Sequence, residues 1–200
     1  MKKTVFILFL ITSLIYPQSS KEFFKKGQLK YRSKDFRGAV LEFDKALSLD
    51  MNFQNAYAAR GDAKYYLNDF RGAVSDYNEA VRLNPGDIYT YDNRGLAKWN
   101  LSDFTGAIRD FSKAIEQNPK YETAYYNRGN AKFDLDDYQG ALDDYNKAIE
   151  INSNYGEAYF HRGNVKRIGF EDAAGACADW NIAYDLGIDE ALDYLKKFCN

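Results

Sequence analysis

The chain repeats itself every 34 residues, and few folds accommodate that constraint. Segments beginning at Ser20, Gln54, Ile88 and Glu122 align without a gap, and a fifth beginning at Gly156 carries one extra residue in a loop. Gly holds the eighth place throughout: Gly27, Gly61, Gly95, Gly129 and Gly163. Ala holds the twentieth (Ala39, Ala73, Ala107, Ala141, Ala176) and the twenty-seventh (Ala46, Ala80, Ala114, Ala148, Ala183). The twenty-fourth place is aromatic: Phe43, Tyr77, Phe111, Tyr145, Trp180. A register kept over five copies means that each copy is one supersecondary unit. Such a unit cannot bury its apolar face alone, so its neighbours must stack on it.

Each unit reads as two helices. Asp35, Asp69, Asp103 and Asp137 stand before an aromatic, a variable residue and Gly-Ala. An Asp there can accept from free backbone N–H groups and start the second helix. Ala141, Tyr145, Ala148 and Ile149 then recur at helical spacing and form one apolar face. Asn84-Pro85 and Asn118-Pro119 end their helices. A Gly inside a helix costs about 1 kcal/mol relative to Ala. Its recurrence at the eighth place therefore predicts a close crossing of the two helices, where larger side chains would overpack.

The 34-residue period, with an aromatic at place 4, Gly at 8, Ala at 20, an aromatic at 24, Ala at 27 and Pro at 32, resembles the tetratricopeptide repeat (TPR) family over about residues 20–190. The resemblance implies an all-α, right-handed α-solenoid of five helix-turn-helix units (20–53, 54–87, 88–121, 122–155 and 156–190) with a capping helix at 190–200. Met51 and Ser153 stand where the pattern has Pro. Ala173 stands where Phe36, Phe70, Phe104 and Tyr138 are aromatic, and a basic residue precedes each Gly where Leu is usual.

Those basic residues form a series: Lys26, Arg60, Arg94, Arg128, Arg162. Sixteen residues after the first four stand Glu42, Asp76, Asp110 and Asp144, and the insertion sets Asp179 opposite Arg162. The register predicts a ladder of ion pairs across the helix crossings. The alternative is an Arg stripe for an anionic ligand. The two cysteines, Cys177 and Cys199, lie equidistant from the turn at Leu186-Gly187-Ile188-Asp189. In an antiparallel pair such residues face each other, so a Cys177–Cys199 disulfide pinning the cap is expected. Two buried free thiols are the alternative.

Lys2 and Lys3, the apolar run Val5–Tyr16 and the break at Pro17 make residues 1–20 read as a signal peptide, and hence the protein as exported, periplasmic or extracellular. That run is too short to cross a bilayer easily. An uncleaved anchor is the alternative. After removal of residues 1–20 the chain keeps 25 basic and 29 acidic residues, 25 − 29 = −4, with no integral membrane segment. That balance lacks the basic footprint of a nucleic-acid binder. His161 is the one His, two Cys give no metal-ligand spacing, and no Gly-rich phosphate loop occurs, so neither enzyme, metal nor cofactor is expected.

By the same resemblance the first helices line a concave groove, with ligand contacts at places 2, 5, 6, 9, 12 and 13. The groove residues expected to meet a peptide are Tyr31, Tyr65, Trp99 and Phe133 at place 12 and Tyr126 at place 5. Asn93 and Asn127 at place 6, and Asn130 and Asn164 at place 9, join them. The aromatics offer contact area at low entropic cost, and the amides suit an extended backbone. Partial burial of the place-12 rings between units is the alternative reading. Some family members clamp a C-terminal carboxylate with Lys and Asn, but Phe24, Ala58 and Asp92 stand where that Lys would be needed. The expected function is a scaffold binding a protein or peptide partner in the cell envelope. A carbohydrate-binding module, or a homo-oligomer assembled through its end repeats, is the alternative.

Overall fold

A computed structural model describes residues 19–199. Residues 1–18, which hold most of the expected export signal, lie outside the described residues. Eleven helices and no strand are present among the described residues. The first helices of the five units are α1 (Ser20–Arg32), α3 (Gln54–Tyr66), α5 (Ile88–Asn100), α7 (Glu122–Phe133) and α9 (Gly156–Gly169). The second helices are α2 (Phe36–Leu49), α4 (Phe70–Leu83), α6 (Phe104–Gln117), α8 (Tyr138–Ile151) and α10 (Ala173–Asp185). α11 (Glu190–Phe198) follows as a cap.

The turn inside each unit is built by local chemistry. Lys34, Asn68, Ser102 and Asp136 take the left-handed backbone conformation, with φ near 60°, and reverse the chain. The next residue caps the second helix: Asp103 accepts from the Gly106 N–H at 2.9 Å, and Asp35, Asp69 and Asp137 do the same. Asp172 caps α10 identically, through Gly175. A Cβ at Gly106 would overlap the Asp103 carboxylate, so this Gly is the residue that lets the cap close. α1 opens on a reciprocal capping box between Ser19 and Glu22.

The helices of a unit cross where the sequence predicts. A Cβ at Gly95 would lie 2.6 Å from Phe111 Cε1, and the same place in the other units meets Phe43, Tyr77, Tyr145 and Trp180. The interior is a row of fully buried alanines with one buried place-24 aromatic per unit, from Phe43 to Trp180, and Phe160 is buried beside Trp180 in the fifth. Second helices pack on both neighbouring first helices, and first helices of adjacent units touch each other from α1 to α9. The first helices therefore line the inner side of the curve.

α11 closes the C-terminal end, standing where the first helix of a sixth unit would stand. Gly187, with φ of 93°, allows the turn into it. Phe160, Trp180, Tyr194 and Phe198 make a continuous ring cluster beneath it. Cys177 and Cys199 are bonded there, with Cα atoms 5.8 Å apart. Among the described residues no helix covers the N-terminal end in this way. Leu29 is 64% exposed, whereas its counterparts Ala63, Ala97, Ala131 and Val165 are fully buried against the preceding unit.

Candidate functional site

Two polar systems run along the solenoid, and they divide the molecule into a structural flank and an inner groove. On the flank, Arg60, Arg94, Arg128 and Arg162 each grip an Asp of their own unit through Nε and Nη2: Asp76, Asp110, Asp144 and Asp179. The third arm, Nη1, reaches back to the second helix of the preceding unit, at Asp44, Asn78, Ser112 and Asn146. One turn beyond each Arg, Lys64, Lys98, Lys132 and Lys166 touch Oδ2 of the same Asp, the oxygen that Nε also bonds, at 2.6–2.8 Å. Each Arg also lies over the ring three residues before it: Tyr57, Tyr91, Tyr125 or Tyr159. These four Arg are thus spent inside the fold, and the series offers no free stripe for an anion. The expected fifth pair, Lys26–Glu42, does not form. Glu42 pairs with Lys45, and Lys26 lies over Phe23. No unit precedes α1 among the described residues, and an ammonium lacks the fork that holds two helices at once.

On the inner side, the place-12 rings stand one in each of the first four units. Tyr31, Tyr65 and Phe133 are half-buried, and each packs edge-on against the first aromatic of its own second helix: Phe36, Phe70 and Tyr138. Trp99 is 37% exposed, and its indole N–H donates to Asp134 of the next unit at 2.6 Å. The Tyr65 hydroxyl accepts from Asn100 at 3.1 Å, across the same kind of junction. Tyr126 packs among Tyr145, Tyr155 and His161. In unit five the place-12 residue is Arg167, whose guanidinium lies 4.3 Å from the Phe198 ring centre of the cap.

The amides at places 6 and 9 are engaged within the protein. Asn93 donates to Asp62 at 3.0 Å, and Asn127, only 8% exposed, donates to Asp92 at 3.1 Å. Asn130 accepts from the Tyr145 hydroxyl at 2.7 Å, and Asn164 from the Trp180 indole at 3.2 Å. These bonds expose a rule that sequence reasoning missed although its signal was present. Where place 24 is Tyr or Trp, place 9 is Asp62, Asn130 or Asn164, which accepts from it. Where place 24 is Phe111, place 9 is Leu96. A buried ring with a polar tip brings its own acceptor.

Asp62 and Asp92 differ from the ladder carboxylates, for neither makes an ion pair among the described residues. Asp62 accepts from the Tyr77 hydroxyl at 2.7 Å and from Asn93, both at Oδ1. Asp92 accepts from Asn127 and, at 3.3 Å, from the Tyr121 hydroxyl. Burial raises both carboxyls above their ordinary value, opposed by those hydrogen bonds. Asp92 is 4% exposed and closed over. Asp62 instead faces a pocket of about 150 Å³ lined by Tyr31, Tyr65, Tyr66, Tyr77, Asn93 and Leu96. His161 is held below its ordinary value by burial among rings. Among the described residues no group of His, Cys, Asp and Glu is arranged to hold a metal ion, and no helix is long and apolar enough to cross a membrane.

Three stretches match tetratricopeptide models: residues 54–87 and 123–155 match a tetratricopeptide repeat and residues 100–136 a TPR repeat. No curated protein matches the chain by sequence. The fold is similar to that of a MamA crystal structure (24% identity, 82% of this chain and 96% of that one, TM-score 0.76). It is also similar to YrrB, described as a TPR protein with an unusual peptide-binding site (19% identity, 89% and 92%, TM-score 0.75). PilF of Pseudomonas aeruginosa is a third (15% identity, 84% and 76%, TM-score 0.74). At these identities the likeness is one of fold. With the matched repeats, the unbroken 34-residue register and the stacked helix pairs, the chain is a tetratricopeptide repeat protein.

Proposed function

We propose that this protein is an interaction scaffold that receives an extended segment of a partner protein along its inner face. The observation that carries the reading is the row of place-12 rings. Tyr31, Tyr65, Trp99 and Phe133 appear once in each of the first four units on the first helices, none of them fully buried. Rings held edge-on by a neighbour are pre-ordered, so a partner that covers them gains apolar contact with little loss of side-chain freedom. Asn93 and Asn127 tie neighbouring units and Asn130 and Asn164 satisfy the buried ring of their own unit, so specificity falls to the ring row and to the groove floor at Asp62.

The place of action we infer is outside the cytoplasm. The charged start and apolar run of residues 1–20 support export, and a cap pinned by Cys177–Cys199 suits an oxidising compartment. The test is cross-linked co-purification of the mature protein from its own envelope fraction, beside a Tyr65/Trp99/Phe133→Ala variant shown by circular dichroism to stay folded. A partner recovered with the wild type and lost with the variant supports the groove. Equal recovery by both moves the interface to the outer helices or the ends of the solenoid.

A further inference from the structure

We propose that the pocket over Asp62 is a receptor for an alkylammonium group, the side-chain amine of a lysine in the bound segment. The proposal rests on the groove reading only in taking a partner segment as the owner of that amine.

Four tyrosines line the pocket, with Asn93 and Leu96 completing it and Asp62 as its one charged group. Tyr31 and Tyr66 meet edge to face, as do Tyr65 and Tyr66, so three rings stand at fixed angles to one another. Rings so placed attract a cation through their faces, most strongly where water is partly excluded. The volume exceeds what a single water needs and suits a small organic group.

Asp62 supplies the charge. Its two donors, Tyr77 and Asn93, are neutral and both bond Oδ1. Asp76, Asp110, Asp144 and Asp179 each hold an Arg and a Lys. A carboxylate drawn from water without a cation is costly, and a ligand cation recovers that cost on binding. Asp92 shares the deficiency but is sealed. Asp62 is the partly accessible one, beside the place-12 rings Tyr31 and Tyr65. Arg32 lines an adjoining hollow with Tyr31 and Asp62 but makes no ion pair with Asp62, and Asp87 adds a second negative charge nearby. One carboxylate among rings is a poor metal site and a good ammonium site, because an ammonium needs only one strong acceptor and is satisfied by π-faces for the rest.

The test titrates the full mature protein with small probes, followed by two-dimensional amide NMR. N-acetyl-lysine N-methylamide carries the side-chain amine, N-acetyl-norleucine N-methylamide replaces it by a methyl group, and glycine N-methylamide offers an α-amine. The lysine probe should shift the amides around Tyr31, Asp62 and Asn93 and bind at least about tenfold more tightly than the norleucine probe. Asp62→Asn keeps an oxygen for Tyr77 and Asn93 while removing the charge, and it should abolish that difference with the rest of the spectrum unchanged. Equal binding of lysine and norleucine probes, or unchanged lysine binding by Asp62→Asn, overturns the proposal. Equal or tighter binding of the glycine probe assigns the pocket to a chain N-terminus and overturns the lysine assignment. A Trp99/Phe133→Ala variant leaves the pocket residues intact. If it keeps both the partner and lysine-probe binding, the groove reading falls and the pocket stands. If it loses the partner while the wild type shows no probe selectivity, the pocket falls and the groove stands.

Discussion

Arg94 and Asp110 form a two-point grip between α5 and α6, Nε to Oδ2 at 2.9 Å and Nη2 to Oδ1 at 2.6 Å, while the free arm of Arg94 reaches Asn78 on α4 at 2.9 Å. One guanidinium thus holds three helices. Three further Arg residues repeat the arrangement, so the same side chain fixes the crossing inside a unit and the step between units.

Loss of the acid is therefore expected to be severe. Asp110→Ala leaves Arg94 and Lys98 facing each other with little solvent to screen them, and should cost about 3–5 kcal/mol. Denaturant unfolding of Arg94→Leu, Asp110→Leu and the double variant gives the coupling directly. A coupling of about 1.5 kcal/mol or more is expected; none at all would mean that the pair adds nothing beyond packing.

Asp92 should make the fold less stable as the pH rises. Its folded-state carboxyl titrates above the ordinary 3.8, so the folded chain holds the proton more tightly than the unfolded chain. The contribution is fully present below pH 3.8 and is lost as the pH rises through the raised value. Asp92→Asn keeps an acceptor for Asn127 without the charge. The variant should exceed the wild type in stability at neutral pH, and the gain should shrink as the pH falls toward 3.8. Thermal melts at a series of pH values check this, and a pH-independent difference would contradict it.

Opening the Cys177–Cys199 bond should loosen the cap and little else. The bond closes a loop of sequence separation 22, for which chain entropy gives a stabilisation of about 3 kcal/mol. Amide exchange in Cys199→Ser should accelerate over α10 and α11, with α3 to α6 unchanged. Uniform acceleration would mean that the solenoid unfolds as one unit.

Much of this architecture was legible because one pattern is written five times. The unit starts, the caps at Asp35 to Asp137, the crossing at Gly95 and four rungs of the ladder all follow from register, since a residue type kept at one place has one structural job. What escaped were differences between copies. Lys26 looked like a fifth rung, but among the described residues no second helix precedes it to be tied. Lys64, Lys98, Lys132 and Lys166 sit one turn beyond the Arg series, carried no expectation from the sequence, and complete each Asp. Asn93 and Asn127 read as ligand groups, while their side-chain N–H groups serve Asp62 and Asp92. An Asp on a helix gives no sign in sequence of whether water or a tyrosine cage surrounds it, because that depends on residues 15 to 35 positions away.

The inner face as the binding surface is the central claim, and site-specific photo-crosslinking tests it most directly. A benzophenone amino acid would replace Trp99 on α5 in one protein and exposed Arg109 on α6 in another, each expressed in the native host. Adducts with a partner protein from position 99 and none from position 109 are predicted. Adducts from position 109 with none from position 99 would place the partner on the outer helices and contradict the account.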